Sequence, residues 1–479
     1  MATLPDWVKK HQEKGTQAVR IKENYYLYKI KSVWDPKKGR ARKVTEKYLG
    51  KITPDGIVKP KQERIIEGLN NITVKEFGAS NIINSIATNI IELLKENYPA
   101  VWKEIFVFST MRLFHSSPLK NVSHYYNSSH LSDVFPDARV SPKSLSELLF
   151  SVGKERGKMV EFMKNFVEGS EFLVIDLTHI FSLSENIISA TNGHNSEEDY
   201  TPQINLVLLY SLDKLQPSFF RLVPGSIRDV SVIPISLKEA GVKKAVIIGD
   251  KGFFSDNNVK FLDTEELDLD YILPLKRNSS LIDYSPIQSG DKKSFDGHFL
   301  FEKRVIWYYE KEQNNRRIIV FLDEKLKAEE EKDFITHIDN GKKPMDDYFD
   351  RQFKMGTIAV VAKTSFNADE IFENLKARVE IESLFDTFKN LLHADRSYMR
   401  DEVHLQGWMF VNFVSLLLYY KIYELLINKD LLANCSPRDV ILHLSRIYKL
   451  KIEGKWILSE IPKKSRKILE KLDFAVHIT

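Results

Sequence analysis

Two apolar runs in this chain end in an acid: Phe172-Leu173-Val174-Ile175-Asp176 and, about 75 residues later, Ala245-Val246-Ile247-Ile248-Gly249-Asp250. A third acid, Glu382, belongs to Arg378-x3-Glu382-x6-Lys389, inside a strong helical pattern. Short continuous apolar runs read as buried strands. Neighbouring strands lie ~4.8 Å apart, so if these two are adjacent their terminal aspartates converge near one sheet edge. With a helical carboxylate added, such groups can bracket two divalent cations ~3.5–4 Å apart, the arrangement that serves in-line displacement at phosphorus. Oxygen-only ligation favours Mg2+ or Mn2+ over zinc. The chemistry implied is cleavage or transfer of phosphodiesters in nucleic acid.

The helix carries its own geometric argument. At ~100° per residue, Ile381, Leu384, Phe385, Phe388 and Leu392 form one apolar stripe. Arg378, Glu382 and Lys389 form a second, within about 40° of one another. Glu380 points elsewhere, and Asp386, at the margin, is the fallback for the third acid. Alone, this helix would read as carrying an Arg378–Glu382 surface pair worth ~0.2–0.5 kcal/mol; the two strand-end aspartates shift the reading to a site. After Asp250, Gly252-Phe253-x-Ser255 reads as a sharp turn, the glycine taking a backbone conformation closed to other residues. His179, three residues after Asp176, reads as packed, and His194 and His393 show no metal spacing with a partner.

Several elements must position these groups. At 479 residues the chain exceeds a single core, so several domains are expected. Tyr25–Lys31 and Lys43–Leu49 flank a turn at Asp35–Arg40 and predict a β-hairpin with a basic tip of Lys37, Lys38, Arg40, Arg42 and Lys43, within a basic region 1–70. The first 65 residues hold about 17 Lys/Arg against about 7 Asp/Glu, an excess that suggests a polyanionic partner. Helical periodicity over 71–167 predicts a small helical domain suited to recognising DNA, or a structural bundle. Runs at Phe172–Ile175, Ile187-Ile188 and Ile204–Tyr210, a helix reaching Ala240, then Ala245–Ile248 and Tyr271–Leu275 predict a mixed sheet covered on both faces over 168–282. A β-rich insertion is expected over 283–365, the sheet domain resuming over 366–428 with the acid-bearing helix and the apolar helix Trp408–Leu426, and a basic tail over 429–479.

One cysteine, Cys435, excludes an internal disulfide framework and any cysteine-rich zinc site, so a cytoplasmic setting is the default. No uncharged stretch reaches the ~20 residues a bilayer needs, and the first residues lack a signal peptide's apolar core. No membrane partner is expected.

With these residues in place, the chain resembles the DDE transposases of prokaryotic insertion sequences, and most the insertion-sequence-four branch with its Tyr-x2-Arg-x3-Glu-x6-Lys signature. Arg378, Glu382 and Lys389 reproduce that spacing, while Leu375 stands at the Tyr position. The resemblance implies an α/β protein with an RNase H-like catalytic core. Asp176, Asp250 and Glu382 would be the metal-binding catalytic acids, and Arg378 and Lys389 would contact DNA phosphates. Trp307, in the insertion, becomes a candidate for stacking on a flipped base, against a core role for the same ring. It further implies double-stranded DNA (transposon ends and target) as partner, a homodimer on paired ends, and a nucleoid-associated prokaryotic setting. Open beside it stand an RNase H-like nuclease without strand transfer and a non-catalytic transposase-derived DNA-binding protein.

Overall fold

The computed structural model describes residues 4–63, 72–193, 200–227, 232–264, 267–452 and 454–475. These fall into two compact units. Of the described residues, the first comprises 4–63, 72–76, 446–452 and 454–463, and the second comprises those between 77 and 445 together with 464–475.

In the first unit a short helix α1 (Asp6–Lys9) is followed by a four-stranded antiparallel sheet β1 (Thr16–Ile21), β2 (Asn24–Asp35), β3 (Arg40–Thr53) and β4 (Gly56–Val58), in that order. Val8, Ala18, Leu27 and Ile52 form its small core, with Leu4, Trp7, Tyr25 and Leu49 packed around them. That core serves only the inner half of the long β2–β3 pair. Beyond Ile30 the paired residues Ser32/Lys43, Val33/Arg42 and Trp34/Ala41 are exposed on both strands. The loop turns on Gly39 at φ +58°, with the Lys38 amide donating to the Asp35 carbonyl at 3.2 Å. A second sheet of this unit joins β5 (Thr73–Glu76) to two strands from the far end of the chain, β16 (Tyr448–Ile452) and β17 (Lys455–Leu458). The region expected as a basic tail is therefore folded. It also contains helices Pro437–Leu444 and Lys463–Leu472, the latter burying Leu469 and Leu472.

The second unit opens with the helices α2 (Gly78–Ile86), α3 (Thr88–Asn97), α4 (Trp102–His115), α5 (Leu119–Asn127), α6 (Leu131–Val134), α7 (Pro142–Gly153) and α8 (Arg156–Val167). Ser141 caps α7 by accepting from the Ser144 amide, with Pro142 at the first turn. Val74, expected at the start of this helical region, lies instead in β5. The large sheet follows: β6 (Phe172–Ser182), β7 (Gln203–Ser211), β8 (Gln216–Pro224), helix α9 (Val232–Ala240), β9 (Lys244–Ile248), helix α10 (Asp256–Leu262) and β10 (Asp268–Pro274). Ile187-Ile188, expected as a strand between β6 and β7, lies in a loop, and the third strand before α9 is β8.

The expected insertion is not a separate β layer. Strands β11 (Gly297–Phe301), β12 (Arg304–Gln313), β13 (Arg316–Asp323) and β14 (Thr357–Lys363) extend the same sheet, in the order β11-β12-β13-β14-β10-β9-β6-β7-β8, and the two-residue β15 (Arg396–Ser397) pairs in parallel with the end of β6. Two helices, α11 (Glu324–Asp339) and α12 (Met345–Arg351), interrupt them.

Helix α13 (Ala368–Ala377) and helix α14 (Val379–Asp386) follow, then a π-helical turn Thr387–Leu391 and the long helix α15 (Glu402–Asn428). Among the described residues α15 is the one helix long and apolar enough to cross a membrane by composition, yet residues on all its sides are buried, as in a core helix. It crosses α7 at two glycines. A Cβ on Gly407 would stand 2.0 Å from the Leu149 carbonyl oxygen, and one on Gly153 would stand 1.8 Å from that of Val403. Backbone, not side chain, fills that space and cannot yield locally. Gly407→Ala is therefore expected to destabilise the second unit by ~2 kcal/mol or more, despite alanine's better helix propensity. Urea denaturation measures it; an unchanged or raised midpoint would show that the helices separate without cost.

Candidate active site

Strand β6 pairs with β9 in parallel as far as Val174 opposite Ile248. Two residues farther along each chain stand Asp176 and Asp250, so the register carries both carboxylates to the place where β9 has ended. Asp176 is not the last residue of its strand, as its apolar run suggested, because β6 continues to Ser182 beside β7. What ends there is the β9 partner.

Behind Asp250 the chain is held tightly. Its carbonyl accepts from the Phe253 amide at 2.9 Å, and Phe253 is buried. Ser255 caps α10 through the Asn258 amide, while the Asn258 side chain donates to the Phe253 carbonyl at 2.8 Å. The close approach falls on Gly249, whose Cβ would meet Leu273 at 3.0 Å. Gly252, expected to need a glycine-only conformation, is not among the positive-φ glycines of the described residues.

The third acid comes from α14. Asn367 and Glu370 form a capping box that starts α13; this helix ends at Ala377, Arg378 makes the junction, and α14 resumes at Val379. Ile381, Leu384, Phe388 and Leu392 are fully buried along the apolar stripe, which anchors the element and leaves Glu382 on its exposed side. Glu380 accepts from the Tyr423 hydroxyl at 3.4 Å, and burial raises its carboxyl above the ordinary range. Asp386 accepts from Asn390 at 2.6 Å. Both belong to other contacts than those of Glu382.

Arg378 joins the acids. Its Nη1 lies 3.2 Å from Asp176 Oδ2, and its Nη2 lies 3.0 Å from Glu382 Oε1 and 3.7 Å from Asp250 Oδ1. One guanidinium thus touches three carboxylates from β6, the β9–α10 turn and α14. Their formal charges sum to −2 with the arginine included, a field that attracts cations. The donor set is oxygen-only, which suits a hard divalent cation of the Mg2+ or Mn2+ type. With the guanidinium among them the acids are not drawn into a ligand shell: among the described residues no group of three or more His, Cys, Asp or Glu has metal-holding spacing. The plain i,i+4 pair considered from sequence is real but is one contact of three.

Lys389 stands on the π turn, its Nζ 3.4 Å from Nε2 of the buried His179. The π geometry departs from the uniform ~100° step assumed for the stripe, so Lys389 is placed by this turn as well as by periodicity. His393 takes a positive φ of 47° after the helix, and His194 lies outside the described residues. Trp307 is half-buried on β12, 4.9 Å from the His298 ring, with Lys292 Nζ 5.1 Å from its centroid. On the first unit Lys37 and Lys38 occupy the β2–β3 loop, and Arg40, Arg42 and Lys43 line β3, all exposed; Arg42 lies 3.9 Å from Asp35.

One residue escaped sequence reasoning. Arg112, buried in α4, donates to Asn412 Oδ1 at 3.1 and 3.2 Å, to the Ser117 carbonyl at 3.2 Å and to the Leu392 carbonyl. Ser116 donates to the Leu391 carbonyl. The end of the Glu382-bearing element is thereby fastened to α4 and α15. A signal existed: an arginine inside the apolar run Phe106–Leu113 has no solvated face to occupy.

No curated protein matches the chain. Among solved structures, a piggyBac transposase synaptic complex with hairpin DNA is similar at a TM-score of 0.39 and 11% identity, over 72% of this chain and 70% of that one. The family model described as the transposase DDE domain matches residues 169–418, a span that runs from just before β6 into α15 and includes Asp176, Asp250 and Glu382. That span is more than half of the 479 residues, and the chain belongs to the transposase DDE domain family.

Proposed function

We propose that this protein is a DNA transposase that cleaves DNA at the ends of its element and joins those ends to target DNA, using Asp176, Asp250 and Glu382 to hold two divalent cations, Mg2+ or Mn2+. The observation that carries this reading is the meeting of three carboxylates, far apart along the chain, on the single guanidinium of Arg378. The bound cations would supply activation of the attacking oxygen and stabilisation of the leaving one.

The chain's own residues do the rest. Asp176 lies on β6 and Asp250 two residues past the end of the neighbouring β9, so the sheet register sets the spacing of their backbones. Glu382, on a helix anchored by its buried stripe, closes the third side. Arg378 presents positive charge among the acids, and Lys389 adds a second on the turn that follows the Glu382 helix, where they would orient a phosphodiester for in-line attack. The reading of the sheet as RNase H-like rests on the order β8-β7-β6-β9-β10, in which β7 is antiparallel to both β6 and β8 while β9 runs parallel to β6 and to β10. The insertion-sequence-four branch rests on Arg378, Glu382 and Lys389 alone. A homodimer on paired ends and a nucleoid-associated prokaryotic setting complete the reading.

The decisive experiment supplies a pre-cut end with a free 3′-hydroxyl and a second duplex, with Mg2+ or Mn2+. Joined product is expected. Cleavage without joining would make this an RNase H-like nuclease, and metal-independent binding with neither reaction would make it a DNA-binding protein.

The β2–β3 ribbon is assigned to DNA phosphates. Replacing Lys37, Lys38 and Arg40 by Gln is expected to flatten the dependence of log affinity on log salt by roughly 3, near 0.9 per phosphate contact. Titrations at several salt concentrations measure the slope, and an unchanged one would return the ribbon to a purely structural role.

A further inference from the structure

Three clustered carboxylates repel one another unless a cation stands among them. In this structure the cation is part of the chain. Arg378 is four-fifths buried and its fork reaches all three acids. A guanidinium at these distances uses the oxygens that a divalent cation would need. It takes one oxygen of each carboxylate and repels a second positive charge among the same three acids, so metal and side chain compete for the site.

We propose that Arg378 is a resident counter-cation of the acid triad, displaced when divalent cations bind and captured by a phosphodiester of the substrate DNA, so that one side chain couples metal binding to DNA binding. This rests on the metal-holding reading of the triad.

Two features make the exchange feasible. Asp250 and Glu382 are 37% and 55% exposed, so those two pairs are partly screened and weak, and the Asp176 pair, 17% exposed, is the one contact that holds the guanidinium firmly. Arg378 also sits at the junction between α13 and α14, where its backbone stays helical, and its long side chain can change rotamer without disturbing either helix. Once displaced beside bound cations, the guanidinium needs an anion. A phosphate offers two oxygens to its fork. By linkage, whatever captures the arginine raises metal affinity, and metal raises affinity for that anion by the same factor. The device would keep the acids ordered and charge-compensated without DNA, and would load cations fully only on substrate.

The test is Mn2+ binding to the purified full chain, followed by calorimetry and by electron paramagnetic resonance, for the wild type, R378Q, R378K and D250N. Without DNA, R378Q is expected to bind Mn2+ about tenfold more tightly than the wild type, because no internal cation competes. R378K keeps the charge but not the fork and should fall between them. Adding a duplex oligonucleotide should tighten Mn2+ binding in the wild type and do so less in R378Q. Equal or weaker Mn2+ binding by R378Q, or an equal DNA effect in both proteins, overturns the proposal. Should R378Q not fold, R378K carries the test, and Mn2+ affinity unchanged from wild type overturns it. A different failure marks the parent reading: if D250N binds Mn2+ as the wild type does, the triad is not the metal site.

Discussion

Asp250→Asn is expected to lower strand cleavage by about a thousandfold or more while leaving in place folding and the DNA binding measured without divalent metal. The substitution keeps the shape of the side chain and leaves intact the turn built by Phe253, Ser255 and Asn258, since that turn uses the Asp250 carbonyl and not its carboxylate. What is lost is the negative charge of one of the three acids proposed to hold the cations. Removing a single preorganised stabilising group from an active site commonly costs 10²–10³ in rate, and a charged metal ligand belongs at or above the upper end. The stability effect should be small, because the Asp250–Arg378 pair is 3.7 Å long and Asp250 is more than a third exposed. Cleavage of an end-labelled duplex in Mg2+, with thermal melting as the folding control, measures both. Asp176→Asn should behave alike. A variant with full cleavage would remove its aspartate from the mechanism.

The second large effect lies away from the acids. Arg112→Met is expected to destabilise the second unit by ~3–5 kcal/mol, and to reduce cleavage among the molecules that remain folded. Burial lowers the Arg112 pKa to about 10, so it is charged at neutral pH and has been taken out of water at a cost that its hydrogen bonds offset. Methionine fills the stem's volume without donors. Asn412 Oδ1 and the carbonyls of Ser117 and Leu392 then lose this donor, at ~1–3 kcal/mol for each buried acceptor left unpaired. The activity effect follows from place: Leu392 ends the element that carries Glu382 and Lys389. Chemical denaturation together with cleavage per folded molecule separates the two effects. A shift below ~1 kcal/mol would show that the three acceptors find other donors.

The two aspartates were legible because their strands are buried on both faces and so appear as unbroken apolar runs, and Glu382 because a buried helix stripe imposes periodicity. Strand β8 was hidden. Pro217 and Pro224 argue against a strand in sequence, yet β8 ends the sheet order, and an edge strand tolerates prolines that an interior one would not. Continuity of β11–β14 with the main sheet was also invisible, since a strand's own residues do not state its neighbour. The position of Arg378 depends on three partners, two of them brought to it only by folding. Spacing placed it beside Glu382 and could say nothing of Asp176 or Asp250. The Lys463–Lys467 cluster looked like a solvated tail because its charges outnumber the two leucines that seat the helix.

The sheet of β5, β16 and β17 has a bearing on how the polypeptide comes off the ribosome. Thr73–Glu76 is made early, but its neighbour Tyr448–Ile452 emerges only after nearly the whole of the other unit has been synthesised. At ~5–20 residues per second, that first segment waits on the order of half a minute for its mate. During translation the sheet β1–β4 can close on its own, whereas its companion sheet must wait until Tyr448–Ile452 has been made.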